Sequence, residues 1–289
     1  MVRREISEGK KAMPELPEVE TMRRSLIELV KGKTIEDVVI HWPKIIKYPL
    51  EIEQFIDALQ GQTIDDIDRK GKFLIFMLDD YSLVSHLRME GNYRLARRGD
   101  EQDKHVHVLF RFTDGTELRY RDVRKFGTMH LFAKGTEHAE LPLSKLGPEP
   151  FSNEFSDVYF KERLMKTERV IKAVLLDQTV VTGLGNIYVD EVLFRSNIHP
   201  GRVASSLTDD EIALLRKQAV ETLQESIQAG GSSVNTYMNS FGESGTYQEL
   251  LLVYGRQGEE CKQCGTPLEK MKLAGRGTHF CPVCQKLGV

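Results

Sequence analysis

The sequence predicts an α+β chain with a β-rich first half, a helical second half and a small cysteine-bearing end. Three observations carry this. Between residues 34 and 132, short apolar stretches are separated by turn signals such as Asp79-Asp80 and Thr113-Asp114-Gly115-Thr116, the pattern of an antiparallel sandwich. From Asp157 to Gln228 the apolar residues return at helical spacing. All four cysteines fall between Cys261 and Cys284, as two C-x2-C pairs.

Each element has its own signal. Pro17 and the glutamates around it open a helix with Val19, Met22, Leu26 and Leu29 as its apolar stripe. Thr34–Ile40 reads as a strand, and Glu51–Leu59 as a short helix with Ile52, Phe55, Ile56 and Leu59 on one face. Gln62–Ile67, Phe73–Leu78, Ser82–Leu87, His105–Phe112, Glu117–Asp122 and Thr128–Phe132 read as strands. Leu146-Gly147-Pro148-Glu149-Pro150 breaks the pattern as a linker. Helical spacing then marks Asp157–Met165, Glu168–Gln178, Ile187–Ser196 and Asp209–Gln228, with Thr208 and Glu211 as a capping box for the last. The polar, Gly- and Ser-rich stretch Ala229–Thr246 is long for a structureless loop, which points to function or to disorder.

Composition narrows the class. A chain of 289 residues with 40% apolar and 29% charged residues is a soluble globular protein with room for two cores. It has no long apolar run, so no membrane span is expected, and clustered cysteines without a disulfide pattern fit a reducing cytoplasm. The net charge of −3 argues only weakly against a nucleic-acid partner, because basic residues here are clustered.

Four motifs carry chemistry. Cys261-x2-Cys264, sixteen residues, then Cys281-x2-Cys284 presents four thiolates to one tetrahedral ion. A structural zinc is expected, closed to substrate by its four ligands. Between the pairs, the glycine-flanked Arg276 suits either a phosphate contact or a solvated turn. The stretch Pro14-Glu15-Leu16-Pro17-Glu18 holds a proline whose nitrogen is a nucleophile only if it is the chain terminus. The turn Gly183-Leu184-Gly185-Asn186 opens a helix whose N–H groups suit a phosphate, with Asn186 also a plain N-cap. In Arg119–Gly127, Arg124 and Phe126 are two residues apart and so point the same way, a Phe-and-Arg pair that can wedge into a base stack. Met89, next to a glycine turn, is a second wedge candidate. For Phe126 and Met89 the alternative is core packing. Arg69-Lys70-Gly71-Lys72 is otherwise a solvated basic turn.

In this order the motifs resemble the formamidopyrimidine-DNA glycosylase family from Pro14 to Gln285. The resemblance rests on Pro14–Glu20, Arg69–Leu74, Ser85–Gly91, Arg121–His130, Leu146–Pro150, Gly183–Glu191 and Gly275–Cys284. It implies a β-sandwich domain (14–146), a linker (147–156), a helix-two-turn-helix domain with a base-closing loop (157–247) and a β-hairpin zinc finger (248–289). It implies a bifunctional enzyme that excises oxidised purines and cleaves the strand by β,δ-elimination. By the resemblance Pro14 is the nucleophile, Glu15 the acid/base, Glu18 its support, and Lys72 a contact to the lesion or flanking phosphate. Met89, Arg124 and Phe126 match the residues that fill the gap left by the flipped nucleotide, and His86, Lys172, Asn186 and Arg276 match phosphate contacts. The partner is double-stranded DNA containing oxidised purines, the cofactor one zinc ion, and the setting a bacterial cytoplasm, with the protein acting as a monomer.

Two departures from the family pattern bear on function. Thirteen residues precede Pro14, and Asn235 stands in the base-closing loop where relatives often carry a basic residue. Glu8-Gly9, necessarily encoded by purine-rich codons, lies just before Met13 as a ribosome-binding site would, so translation is expected to start at Met13. Two rival readings remain: the endonuclease-VIII-like branch for oxidised pyrimidines, whose members begin P-E-G-P-E where this chain has Leu16, and a non-catalytic damage-binding protein if the prefix is retained.

Overall fold

A computed structural model of the chain describes residues 13–232 and 240–287. Helix α1 (Leu16–Val30) starts at the N-cap Glu15, with Pro17 in the first turn, where an amide hydrogen is dispensable. Val19, Met22 and Leu26 are fully buried, and Val30 rather than Leu29 completes the stripe.

Two sheets follow. One is antiparallel, in the order β1 (Ile35–Ile40), β7 (Val106–Phe112), β8 (Thr116–Arg121), β6 (Asn92–Arg97). The other runs β2 (Ile46–Tyr48), β9 (Thr128–Ala133), β5 (Tyr81–His86), β4 (Phe73–Met77), β3 (Asp66–Lys70). Strand β2 lies parallel to β9, so the sandwich is antiparallel except at that edge. The inner faces of both sheets close one core with α1 and with α2 (Ile52–Leu59).

Three sequence expectations shift here. Strands β2 and β6 were not anticipated: one has three residues, and the other only Tyr93 and Leu95 as large alternating apolar groups. The strand expected at Gln62–Ile67 lies instead at Asp66–Lys70. Gly71, at φ 58°, makes the tight turn that pairs Lys70 with Phe73, and that pairing draws Asp68, Arg69 and Lys70 into the sheet.

The second half is helical: α3 (Asp157–Met165), α4 (Ile171–Leu175), α5 (Asn186–Arg195) and α6 (Asp209–Gln228). Helix α6 has the Thr208–Glu211 capping box. The helix expected over Glu168–Gln178 is cut to five residues. Val170 bridges to Val203 and Ile171 N–H donates to Arg202 O, so the first end has tertiary partners, while at the other end the Asp177 carboxylate takes Thr179 N–H in a local turn that stops the helix. Leu16, at the start of α1, belongs to this second core and not to the first. Helix α1 therefore joins the two halves.

The C-terminal unit is a hairpin, β10 (Glu269–Leu273) and β11 (Arg276–Phe280), flanked by the cysteine pairs. Ala274 and Gly275 both have positive φ, the two-residue turn that matches strand twist and leaves Arg276 exposed at the tip. The local core is small: Phe194, Val253, Cys261, Leu268 and Cys281. All four sulfurs lie within 4.8 Å of one another, with Cys264 and Cys281 3.5 Å apart and Cys261 and Cys284 3.9 Å apart. A tetrahedral ion with metal–sulfur bonds of about 2.3 Å requires edges of about 3.8 Å, so the cluster fits such an ion. With so small a core, metal binding is folding energy for this unit. Chelation is expected to make residues 258–287 sensitive to protease while the two larger cores stay intact. Limited proteolysis with metal analysis checks this; a hairpin that stays protected when metal-free would contradict it.

Candidate active site and nucleic-acid interface

The site is built where the start of α1 meets the start of α5. Pro14 is buried, and in the full chain its nitrogen is an amide, acylated by the Met13 carbonyl. The next residue, Glu15, extends its carboxylate to the N-terminus of α5. Oε2 accepts from Gly185 N–H at 2.7 Å and Tyr188 N–H at 3.4 Å, and Oε1 from Ile187 N–H at 2.9 Å. The positive end of the helix favours an anion there.

The two glycines of the expected phosphate turn exist for this contact. A Cβ on Gly185 would lie 2.3 Å from the Glu15 carboxyl carbon, and one on Gly183 would lie 2.4 Å from Leu16 Cδ1. Gly183 has φ 97°, and its carbonyl accepts from Leu16 N–H at 3.1 Å. The acceptor at the start of α5 is thus the Glu15 carboxyl rather than a phosphate. Asn186 is not the N-cap as expected: Gly185 holds that position and Asn186 is the first helical residue.

Glu18 fastens the motif from below. Its Oε2 accepts from Glu15 N–H at 2.9 Å; its Oε1 accepts from Tyr188 O–H at 2.5 Å and Ser232 N–H at 2.7 Å. Tyr188 O–H also meets Ser226 Oγ at 2.6 Å. Ser232 opens the stretch expected to close over the base; residues 233–239, including Asn235, lie outside the described residues. Lys72 comes from the turn between β3 and β4. Its buried ammonium donates to Leu184 O at 2.9 Å. Arg69, bonded to Glu20 and Glu149, and Gly71, packed against Thr182, aim Lys72 inward.

Burial sets the protonation of this cluster. Desolvation raises the Glu15 carboxyl to about 7, against the opposing pull of Lys72. Burial also raises Glu18 and lowers Lys72. A buried carboxyl near neutrality can hold a proton at pH 7 and release it, as a general acid and then base must.

The interface residues divide into two groups. Phe126 is 50% exposed, which removes core packing as its role, and the Arg124 guanidinium lies 4.7 Å from its ring centroid. Met89 is half-buried on a neighbouring turn. Arg276 is exposed at the hairpin tip, close enough to repel the charges on Lys72 and Lys172. Phe126, Arg124 and Arg276 are exposed and Met89 is partly so. His86 is buried edge-on to Phe73, burial keeps it neutral, and its Nδ1 accepts from Arg88 N–H.

Lys172 and Asn186, expected at phosphates, have protein partners. The Lys172 ammonium is fully buried, 2.6 Å from Asp190, and also reaches Gly277 O at 3.2 Å. Asn186 Nδ2 donates to the same carbonyl at 2.9 Å. In this conformation both hold the hairpin that carries Arg276.

Several organising residues escaped the sequence reading. Asp190 accepts from Lys172 and from His279 N–H at 2.9 Å. Glu191 takes three N–H groups, from Leu252, Val253 and Tyr254, at 2.8 to 2.9 Å. Both lie in the stretch Ile187–Glu191, where charge inside an apolar helical run was the available signal.

The comparisons with known proteins agree with this geometry. Family models match the chain in three successive parts: the formamidopyrimidine-DNA glycosylase N-terminal domain at residues 13–129, the formamidopyrimidine-DNA glycosylase H2TH domain at 146–238, and a zinc finger found in FPG and IleRS at 258–287. The chain is 61% identical over 274 residues to the formamidopyrimidine-DNA glycosylase of Bacillus licheniformis, covering 95% of this chain and all of that one. It is 59% identical over 273 residues to that of Bacillus subtilis, covering 94% and 99%. The structure of the Lactococcus lactis Fpg in complex with abasic-site DNA superposes with a TM-score of 0.89 at 46% identity, covering 94% of this chain and 99% of that one. Identity of this order along nearly the whole length of both partners places the chain in the formamidopyrimidine-DNA glycosylase family.

Proposed function

We propose that this chain is a bifunctional DNA glycosylase and abasic-site lyase that removes oxidised purines, 8-oxoguanine and formamidopyrimidines, from double-stranded DNA. The observation that carries the proposal is the Glu15 carboxyl, desolvated on the start of α5 and raised to about 7, directly after Pro14. Solved relatives from Lactococcus lactis hold abasic-site DNA and Fapy-dG DNA, which supports the same substrate class here.

The chemistry needs a free amine. Once the chain begins at Pro14, the lone pair of its secondary amine attacks C1′ of the damaged nucleotide. The bond from C1′ to the base breaks, the base leaving with the electron pair and taking up the proton that the amine loses; the bond from C1′ to the sugar ring oxygen then opens as Glu15 gives its proton to that oxygen. The opened sugar is then an iminium on Pro14. Glu15, now a carboxylate, can take a proton back, while loss of a C2′ proton expels the 3′-phosphate and a second elimination expels the 5′-phosphate. Glu18 keeps Glu15 N–H and the base-closing stretch in register. Lys72 supplies a buried cation beside Glu15. The cysteine cluster takes one structural zinc and no part in the chemistry. We place the protein in a bacterial cytoplasm, as a monomer.

Leu16 disfavours the endonuclease-VIII-like branch, whose members begin P-E-G-P-E; here the Leu16 side chain is fully buried in the second core. The non-catalytic reading rests on the acylated nitrogen of Pro14 in the full chain.

Extruding a base costs a few kcal/mol, which wedge contacts offset. Arg124→Ala and Phe126→Ala are each expected to slow excision from duplex DNA about tenfold or more, with a smaller effect on single-stranded lesions and with Met89→Ala milder. Equal losses on both substrates would mean a merely structural role.

Two chains test the nucleophile. One starts at Met13, so that methionine removal exposes Pro14; the other keeps residues 1 to 13 with Met13→Leu. The first is expected to nick lesion DNA and to form a borohydride-stable adduct. The second is expected to bind the same DNA without an adduct. Normal trapping by the second chain, its prefix confirmed intact by mass, would move the nucleophile to a lysine such as Lys72.

A further inference from the structure

The two wedge-bearing turns, 87–91 and 122–127, share a construction that the catalytic account leaves unused. In each, a non-glycine residue with positive φ directly precedes the apolar side chain: Arg88 at 55° before Met89, and Lys125 at 58° before Phe126. Such a backbone is strained and persists only where its surroundings hold it.

Asp122 holds the second turn. It is fully buried, and its carboxylate accepts from Arg124 N–H at 3.0 Å on one oxygen and from Phe126 and Gly127 N–H, both at 2.8 Å, on the other. Its own carbonyl meets His107 Nε2 at 2.8 Å. The first turn closes by Gly91 N–H donating to Leu87 O at 3.0 Å.

Tyr120 lies between the two turns. A Cβ on Gly91 would stand 2.2 Å from its hydroxyl oxygen, and one on Gly127 would stand 1.8 Å from it. The ring is fully buried and backed edge-on by Tyr93 at 5.0 Å between centroids. The two glycines therefore admit one tyrosine hydroxyl between two strained loops.

We infer that Tyr120 and Asp122 are positioning residues that lock the Met89 and Phe126 turns into one rigid wedge, so that Met89, Arg124 and Phe126 enter duplex DNA as a unit. This rests on the wedge reading of the proposed function. Both side chains are fully buried, so each acts through the backbone that presents the wedge.

Asp122→Asn tests it with little change of shape. An amide offers one acceptor oxygen, so at least one of the three N–H groups loses its partner. Excision from duplex lesions is expected to fall about tenfold, with excision from single-stranded lesions close to that of the parent. Trp42, the single tryptophan, has the Lys125 ammonium 4.1 Å from its ring centroid, so its emission reports the turn directly. Its emission in the DNA-free protein is expected to change in Asp122→Asn and not in Phe126→Ala. Gly127→Ala is expected to mimic Asp122→Asn, and Tyr120→Phe, which removes the colliding hydroxyl, to restore part of the duplex activity. Duplex activity retained in Asp122→Asn, equal losses on both substrates, or no rescue of Gly127→Ala would overturn the inference. If Phe126→Ala itself costs nothing on duplex DNA, the wedge reading fails first; if it costs and Asp122→Asn does not, only this inference fails.

Discussion

The structure depends on one contact, the Glu15 carboxylate on the N-terminus of α5. It joins residues 170 or more positions apart and crosses from the sheet half to the helical half. It also puts a carboxyl where two forces oppose each other. Three N–H groups and the helix end favour the anion, while complete burial favours the acid, and burial wins. The outcome is a carboxyl balanced near neutral pH beside Pro14, the proposed nucleophile. Glycine at 183 and 185 is a steric consequence of that contact, since any side chain there would displace Leu16 or Glu15.

Helix α5 then serves as a common anchor. Its first turn holds Glu15, Tyr188 holds Glu18, Asp190 holds Lys172 and the β10–β11 hairpin, and Glu191 holds the chain entering the cysteine unit. Each bond ties one part of the molecule to the same short helix. Glu15 and Glu18, the exposed Arg276 and the cysteine unit therefore keep a fixed relation although they come from distant sequence. Opposite them, Arg69 links Glu20 of α1 to Glu149 of the linker and brings the Lys72 turn against Thr182.

What was legible in the sequence follows from the range of each interaction. The cysteine cluster, the α6 cap and most strands rest on local spacing, and all are found. The exposure of Phe126 could be suspected because an Arg and a Phe two apart are poor core neighbours. Tyr120, Asp122, Tyr188 and Glu191 were not legible, because a buried polar group is identified only by the backbone it meets, and that backbone comes from elsewhere in the chain. The expected Asn186 cap failed for the same reason: a distant carboxylate did the capping, and the asparagine was freed to hold Gly277. The misplaced Gln62–Ile67 strand shows a turn and a pairing partner overriding local propensity.

The central claim is that Glu15 is a buried acid that still holds its proton near pH 7. A carboxyl raised from 4.5 to about 7 on folding contributes stability that is fully present below its unfolded pKa and is lost as pH rises through the folded one. The most direct measurement is a 13C NMR titration of the glutamate carboxyls in the full chain, with Glu15 assigned by its disappearance in Glu15→Gln. The account predicts a carboxyl titrating near pH 7 that is absent from the variant. If that resonance instead titrates with the exposed glutamates near their ordinary value, Glu15 is a solvated carboxylate and the account is contradicted.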